Sequence, residues 1–329
     1  MASVPMPSQQ TVGRRAAMRL VRRQEAILAV ILVVALIVLA FASDQFLTTD
    51  NLLNQGRLLT EVGLVALPMT LIIITGGIDL SVGSILGLCA IILGVAWKNL
   101  GLPLEGAILV CLLTGAAAGF LNGLVITRIG VPPLIMTLAT LALYRGLAEG
   151  ISQARSVRGY PDWFFTLGQG EVLGVPTQLW ILLVLVIVFA VLLGRTTFGR
   201  ALYAIGNNET AARFSGLEVD RIKLVIYTLS GFVSGLAAWI FVSRVSTTRS
   251  DMGTGLELDV IAAVVLGGTS IFGGSGSILG TVLGFVLIQL LKNGLALTGV
   301  KGDATIVVIG TVLILSILVT SFAQRRRAD

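Results

Sequence analysis

Residues 74–84 read ITGGIDLSVGS and interrupt one of the most apolar regions of the chain, between MTLII and ILGLCAIILGVAW. Two adjacent glycines, an aspartate and two serines do not belong in a continuous apolar helix. Glycine supplies backbone angles that other residues avoid. Irregular backbone at membrane depth persists only where protein or a water-filled cavity satisfies its polar groups. A carboxylate facing lipid costs ~2.5–3.5 kcal/mol even on lenient scales, so Asp79 faces protein or water. Ile-Asp-Leu-Ser also fits a helix start, with Asp79 capping amides of the following helix. Two readings stay open for Asp79, a cap or a place on a polar pathway. Both make the stretch a break between two buried apolar helices.

The composition agrees. Of 329 residues, 55% are hydrophobic and 12% charged, against about 25% charged in a soluble domain. The charges cluster and leave uncharged runs of bilayer-spanning length, and the 39 glycines suit close helix packing in lipid. The fold class is an all-α polytopic membrane protein. Histidine is absent, which excludes imidazole acid–base and imidazole–metal chemistry. Cys89 and Cys111 each lie within an apolar run and read as small buried hydrophobes rather than a disulfide or zinc site. The net charge of +6 comes from arginines at the ends of apolar segments, a topology signal rather than a nucleic-acid surface.

Clear spans fall at 26–42, 106–127, 177–194, 224–242 and 304–322, and further spans at 58–75, 80–97, 131–148, 258–272 and 278–291. The expectation is about ten helices, with 258–272 and 278–291 short and glycine-broken. Arg14 to Arg23, the cluster between Arg195 and Lys223, and Arg325 to Arg327 then share one side with both termini, which the positive-inside rule makes cytoplasmic. The chain divides into a basic tail (1–25), a transmembrane domain (26–322) with an inner loop at 195–223, and a second basic tail (323–329). The first span, with its basic leader and Ala40-Phe41-Ala42, imitates a cleavable signal peptide, but its apolar run is long enough for a retained helix.

Two regions echo each other: MTLIIITGGIDLSVGSILG (69–87) and AAVVLGGTSIFGGSGSILG (262–280), each followed later by Asn-Gly-Leu at Asn122 and Asn293. Chance similarity among glycine-rich spans is the plain alternative. An internal repeat of glycine-broken helices points to a transport path between two halves. In the inner loop, Asn207 or Asn208 can cap a short helix, Glu209 suits its N-terminal end and can pair with Arg213, and Gly216 can end it. Ala211 and Ala212 are expected on its surface, suited to close docking of a protein partner. No lysine follows a glycine, so no P-loop is present and no nucleotide hydrolysis is assigned to this polypeptide. Glu61, Glu149, Glu257 and Asp259 read as lying near span ends, leaving Asp79 as the nearest approach to an ion-coupling group.

Taken together, four segments resemble one family. GGIDLSVGS (76–84), NGLVITRIGVPPLIMTLATLALYRGLA (122–148), GRALYAIGNNETAARFSG (199–216) and GLELDVIAAVVLGGTSIFGGSGSILGT (255–281) are similar, in order, to the membrane subunits of ATP-binding-cassette sugar importers of the ribose, xylose, arabinose and rhamnose type. Asn207 departs from the pattern, standing where a second glycine is usual; asparagine tolerates left-handed backbone, so the turn is expected to survive.

The resemblance implies a permease, not an enzyme, that carries a monosaccharide across the bacterial inner membrane by alternating access. It places Gly76, Gly77, Asp79, Ser81 and Asn122 around the sugar path, and Asn208, Glu209, Ala211, Ala212, Arg213 and Gly216 in the ATPase-coupling segment. It implies no cofactor on this chain, with ATP and Mg on a separate cytoplasmic ATPase. A second permease copy or homologue, a periplasmic sugar-binding protein and membrane lipid complete the partners, without nucleic acid. An ion-coupled secondary transporter, or a related permease for branched-chain amino acids or nucleosides, is the alternative.

Overall fold

The computed structural model describes residues 9–300 together with 304, 307, 310, 311 and 314, with side chains from Glu25 onward. Through residue 300 the described residues form twelve α-helices in order: α1 (Gln9–Ala42), α2 (Thr49–Ile74), α3 (Val82–Lys98), α4 (Leu104–Leu124), α5 (Pro133–Ser152), α6 (Asp162–Phe165), α7 (Thr177–Arg195), α8 (Thr197–Asn207), α9 (Glu209–Phe214), α10 (Val219–Val245), α11 (Leu256–Leu266) and α12 (Ile278–Leu297). A π-helical turn, Val125–Ile129, extends α4. Four two-residue strands, β1 (Val157–Arg158), β2 (Glu171–Val172), β3 (Val175–Pro176) and β4 (Thr247–Thr248), form two antiparallel pairs, β1 with β4 and β2 with β3.

Among the described residues, seven helices are long and apolar enough to cross a membrane, and α3 is a shorter apolar helix of 17 residues. The span expected at 258–272 is only the 11-residue α11, which stops at Leu266 before Gly267 and Gly268. At ~1.5 Å per residue α11 is too short to cross a bilayer alone. Conversely, 278–291 is not a short segment, since α12 runs for 20 residues to Leu297. The span expected at 304–322 lies mostly outside the described residues.

The apolar window of α2 is 78% buried and that of α1 6% buried, so α2 is the central helix and α1 the peripheral one. Around α2 pack α7, α10, α11 and α12, while α3 packs on α4, α5 and α10. Small residues permit the closest crossings. Gly115 and Gly119 of α4 meet Gly231 and Gly235 of α10, and a Cβ on Gly115 or Gly119 would overlap the Gly231 or Tyr227 carbonyl. The same four-residue spacing recurs where Gly280 and Gly284 of α12 press against Gly267 and Ala263. In lipid, where apolar burial gives no net drive between helices, such backbone approach supplies the packing attraction. Both cysteines are buried and free, and Cys111 Sγ donates to the Gly235 carbonyl at 3.5 Å within the α4–α10 crossing.

Candidate functional site

The chain leaves α2 after Ile74, turns through Gly76 at φ 79°, and re-enters helix at Val82. Asp79 lies in this break and is completely buried, as are Ser81 and Asn122. Asp79 Oδ1 accepts from the Ser81 amide at 2.9 Å and the Ser81 hydroxyl at 2.6 Å. Ser81 Oγ in turn accepts from Asn122 Nδ2 at 2.8 Å, and the Tyr144 hydroxyl lies 3.3 Å from Asn122 Oδ1 while donating to the Ala118 carbonyl at 3.0 Å. Thr137 of α5 donates to the Ile78 carbonyl at 3.1 Å. One polar network thus ties the break to α4 and α5.

This geometry corrects the capping reading in detail. Asp79 takes the amide of Ser81, which precedes α3, and the amides of α3 itself receive no side-chain cap from Ser81. Among the described residues, Asp79 Oδ2 has no hydrogen-bond partner, and the nearby Tyr227 hydroxyl has none either. Ser230 of α10 faces the carboxyl without closing a bond of ordinary geometry. Gly77 is buried beside Tyr227, whose hydroxyl would lie 2.7 Å from a Cβ there, whereas Gly76 is exposed.

A second junction joins this break to distant segments. The Gly274 amide donates to the Ile74 carbonyl at 2.9 Å. Gly206 of α8 seats against the same bond, so closely that a Cβ would overlap both the Ile74 oxygen and the Gly274 nitrogen. The Tyr203 hydroxyl donates to the Gly276 carbonyl at 2.8 Å. Asn207 does not form a left-handed turn; α8 continues through it, which is why a residue other than glycine is accommodated.

Two residues beyond Gly206, Asn208 is extended and its Oδ1 accepts from the Ala211 amide at 2.9 Å, capping α9. Glu209 pairs with Arg213 at 2.8 Å and with Lys223 at 2.6 Å, and Arg213 reaches Asp220 at 2.5 Å. Burial alone would raise the Glu209 carboxyl, but hydrogen bonds from Lys223 and Arg213 outweigh it and hold the group below the ordinary glutamate range. Gly216, at φ 85°, donates to the Arg213 carbonyl and ends the helix. Ala211 is exposed, but Ala212 is not a surface residue: it is buried against Ile205 and Val219 in a small core of its own. The prominent surface group is instead Phe214, 89% exposed. An aromatic residue three positions after Ala211 on a charged two-turn helix was the available signal.

Sequence reading also set aside Glu61 and Asp259. In the fold Glu61, 4% exposed, pairs with Arg244 at 2.7 Å, and Asp259 pairs with Lys292 at 2.5 Å. Both pairs lie at the end of α10 away from α9.

Residues 49–317 match the family model described as branched-chain amino acid transport system / permease component. The chain is also similar to the autoinducer 2 import system permease protein LsrD of Yersinia enterocolitica, 39% identical over 308 residues, covering 92% of this chain and 93% of the relative. The proteins of the same name from Photorhabdus luminescens and an Enterobacter species are each 37% identical, over 89% and 92% of this chain and 90% and 94% of the relatives. No solved structure matches significantly. With glycine-packed spans, a polar break at Asp79 and a capped loop helix under a match covering most of its length, the chain belongs to the branched-chain amino acid transport system / permease component family.

Proposed function

We propose that this chain is the permease subunit of an ATP-driven importer for a monosaccharide or similar small cargo, with autoinducer 2, the cargo named for its relatives, among the first to test. The observation that carries the reading is the physical continuity between α9 and the break. Phe214 and Ala211 stand on a charge-paired loop helix, and the helix before it ends with Gly206 wedged on the Ile74–Gly274 bond. A partner that displaces α9 therefore displaces the end of α2.

In this reading a separate ATPase, holding ATP and Mg, docks on the 195–223 loop from the cytoplasm. A second permease encloses the path with this one, and a periplasmic binding protein delivers the cargo. About ten membrane helices, with α11 too short to cross alone, both termini cytoplasmic, tails at 1–25 and 323–329, and a repeat relating 69–87 to 262–280 belong to the same proposal. Gly76, Gly77, Asp79, Ser81 and Asn122 form the hinge beside the path. The buried Asp79 network supports that role better than direct cargo contact.

The test is isolation of the complex from native membranes with identification of every subunit. An ATP-binding-cassette ATPase in stoichiometric amount supports the proposal. A chain that purifies alone, with full transport activity when reconstituted, would overturn it.

A further inference from the structure

The first half of α2, the end of α10, the 246–255 loop and the second half of α12 enclose an open cleft of about 660 Å³. It lies at the Val245 end of α10, the far end from α9, about 40 Å along that 27-residue helix. The volume suits a small-molecule site, which typically runs about 300–1,000 Å³.

Its charges cancel by pairing. Glu61 meets Arg244 at 2.7 Å, Asp259 meets Lys292 at 2.5 Å, and Arg249 meets Asp251 at 2.5 Å. Each lining carboxylate thus has a lining cation beside it, and the cleft carries no net charge to draw in an ion. Between the pairs runs an amide ladder: Gln289 Nε2 donates to Gln55 Oε1 at 2.7 Å, and Gln55 Nε2 to Asn51 Oδ1 at 3.3 Å. Among the described residues, Gln289 Oε1 has no hydrogen-bond partner. Leu58, Val62 and Phe241 supply apolar wall beside them. Neutral donors and acceptors next to C–H surface are the chemistry that receives hydroxyl groups on a carbon skeleton.

We infer that this cleft is a weak binding site for a neutral polyhydroxylated molecule on the route through the permease. The inference rests on the importer reading and adds to it the position of the site and the exclusion of charged cargo. The glutamines lend single neutral hydrogen bonds, weak enough to release what they hold, as conduction requires.

The test measures uptake by cells carrying the complete transporter, using radiolabelled D-ribose, its deoxy analogue, L-rhamnose and autoinducer 2, with L-leucine as the zwitterionic control. Gln289→Leu and, on the facing helix, Gln55→Leu are compared with wild type at equal membrane abundance and equal ATPase co-purification. Uptake of the transported neutral cargo should fall about fivefold to tenfold, the loss of one neutral hydrogen bond. The ratio between cargoes differing in one hydroxyl should also shift, which a general packing defect would not produce. Neutral-cargo uptake by wild type with unchanged rate and ratio in both variants overturns the cleft alone. Uptake of L-leucine overturns the neutral-ligand assignment. Uptake of no cargo by wild type overturns the importer reading and this inference with it.

Discussion

The Gly274 amide is bonded to the Ile74 carbonyl at 2.9 Å, and Gly206 closes over that bond with no room for a side chain. Three segments far apart in sequence are thereby held backbone to backbone. The contact connects the loop that presents α9 to the end of the central helix α2. Gly206→Val is expected to push α8 off the junction at a cost of about 1–3 kcal/mol of overpacking. Uptake should be lost while the ATPase still co-purifies. Normal uptake in this variant would contradict the linkage.

Docking itself is expected to depend on Phe214. An exposed aromatic side chain on the helix proposed to meet the ATPase fits the pattern of interface anchors, whose truncation costs about 2 kcal/mol or more. Phe214→Ala should abolish ATPase co-purification without changing membrane abundance. Ala212→Glu should fail differently, because Ala212 is buried against Ile205 and Val219, and a charge there unseats α9. Protease sensitivity of the 195–223 loop should rise in Ala212→Glu and stay at wild-type level in Phe214→Ala.

Much of this loop was legible beforehand, since Asn208, Glu209, Arg213 and Gly216 are local signals acting within one or two turns. The break at Gly76 was legible for the same reason. The length of α2 and α12 was not. Asn51, Gln55 and Glu61 look like the polar approach to a span, yet they meet Asn293, Gln289 and Arg244. Those partners lie more than 180 positions away, so each polar group is satisfied by a residue hydropathy cannot associate with it. The burial of Ala212 was hidden likewise, because it depends on how α8 and α10 close around α9. The place of Asp79 was legible as buried and polar, and Ser81 and Asn122 were grouped with it, but the relay from Asn122 through Ser81 to Asp79 depends on how α4 packs against the break.

At Asp79, asparagine retains an oxygen for the Ser81 amide and hydroxyl, whereas leucine leaves both unpaired at about 1–3 kcal/mol per buried group. Asp79→Asn should keep part of the uptake and Asp79→Leu should abolish it, at equal membrane abundance. Equal and complete loss in both would point to a titrating, ion-coupling role instead.

Glu209 has a lowered pKa, so its pairing stabilises the loop at and above the ordinary glutamate range and is lost as pH falls through the lowered value. ATPase retention should therefore be flat through mild acid and drop only below the usual glutamate pKa. Because Glu209 is 39% exposed, the effect is modest and screened by salt. Glu209→Gln should weaken retention at neutral pH and remove that acid-side component. An identical acid profile in wild type and variant would show that Glu209 does not hold the loop.

The most direct measurement is cargo accumulation in proteoliposomes holding the purified complex, with ATP sealed inside and the binding protein outside. Accumulation should require internal ATP, stop with vanadate and be indifferent to a protonophore. Accumulation without ATP that collapses with the protonophore would contradict the importer reading.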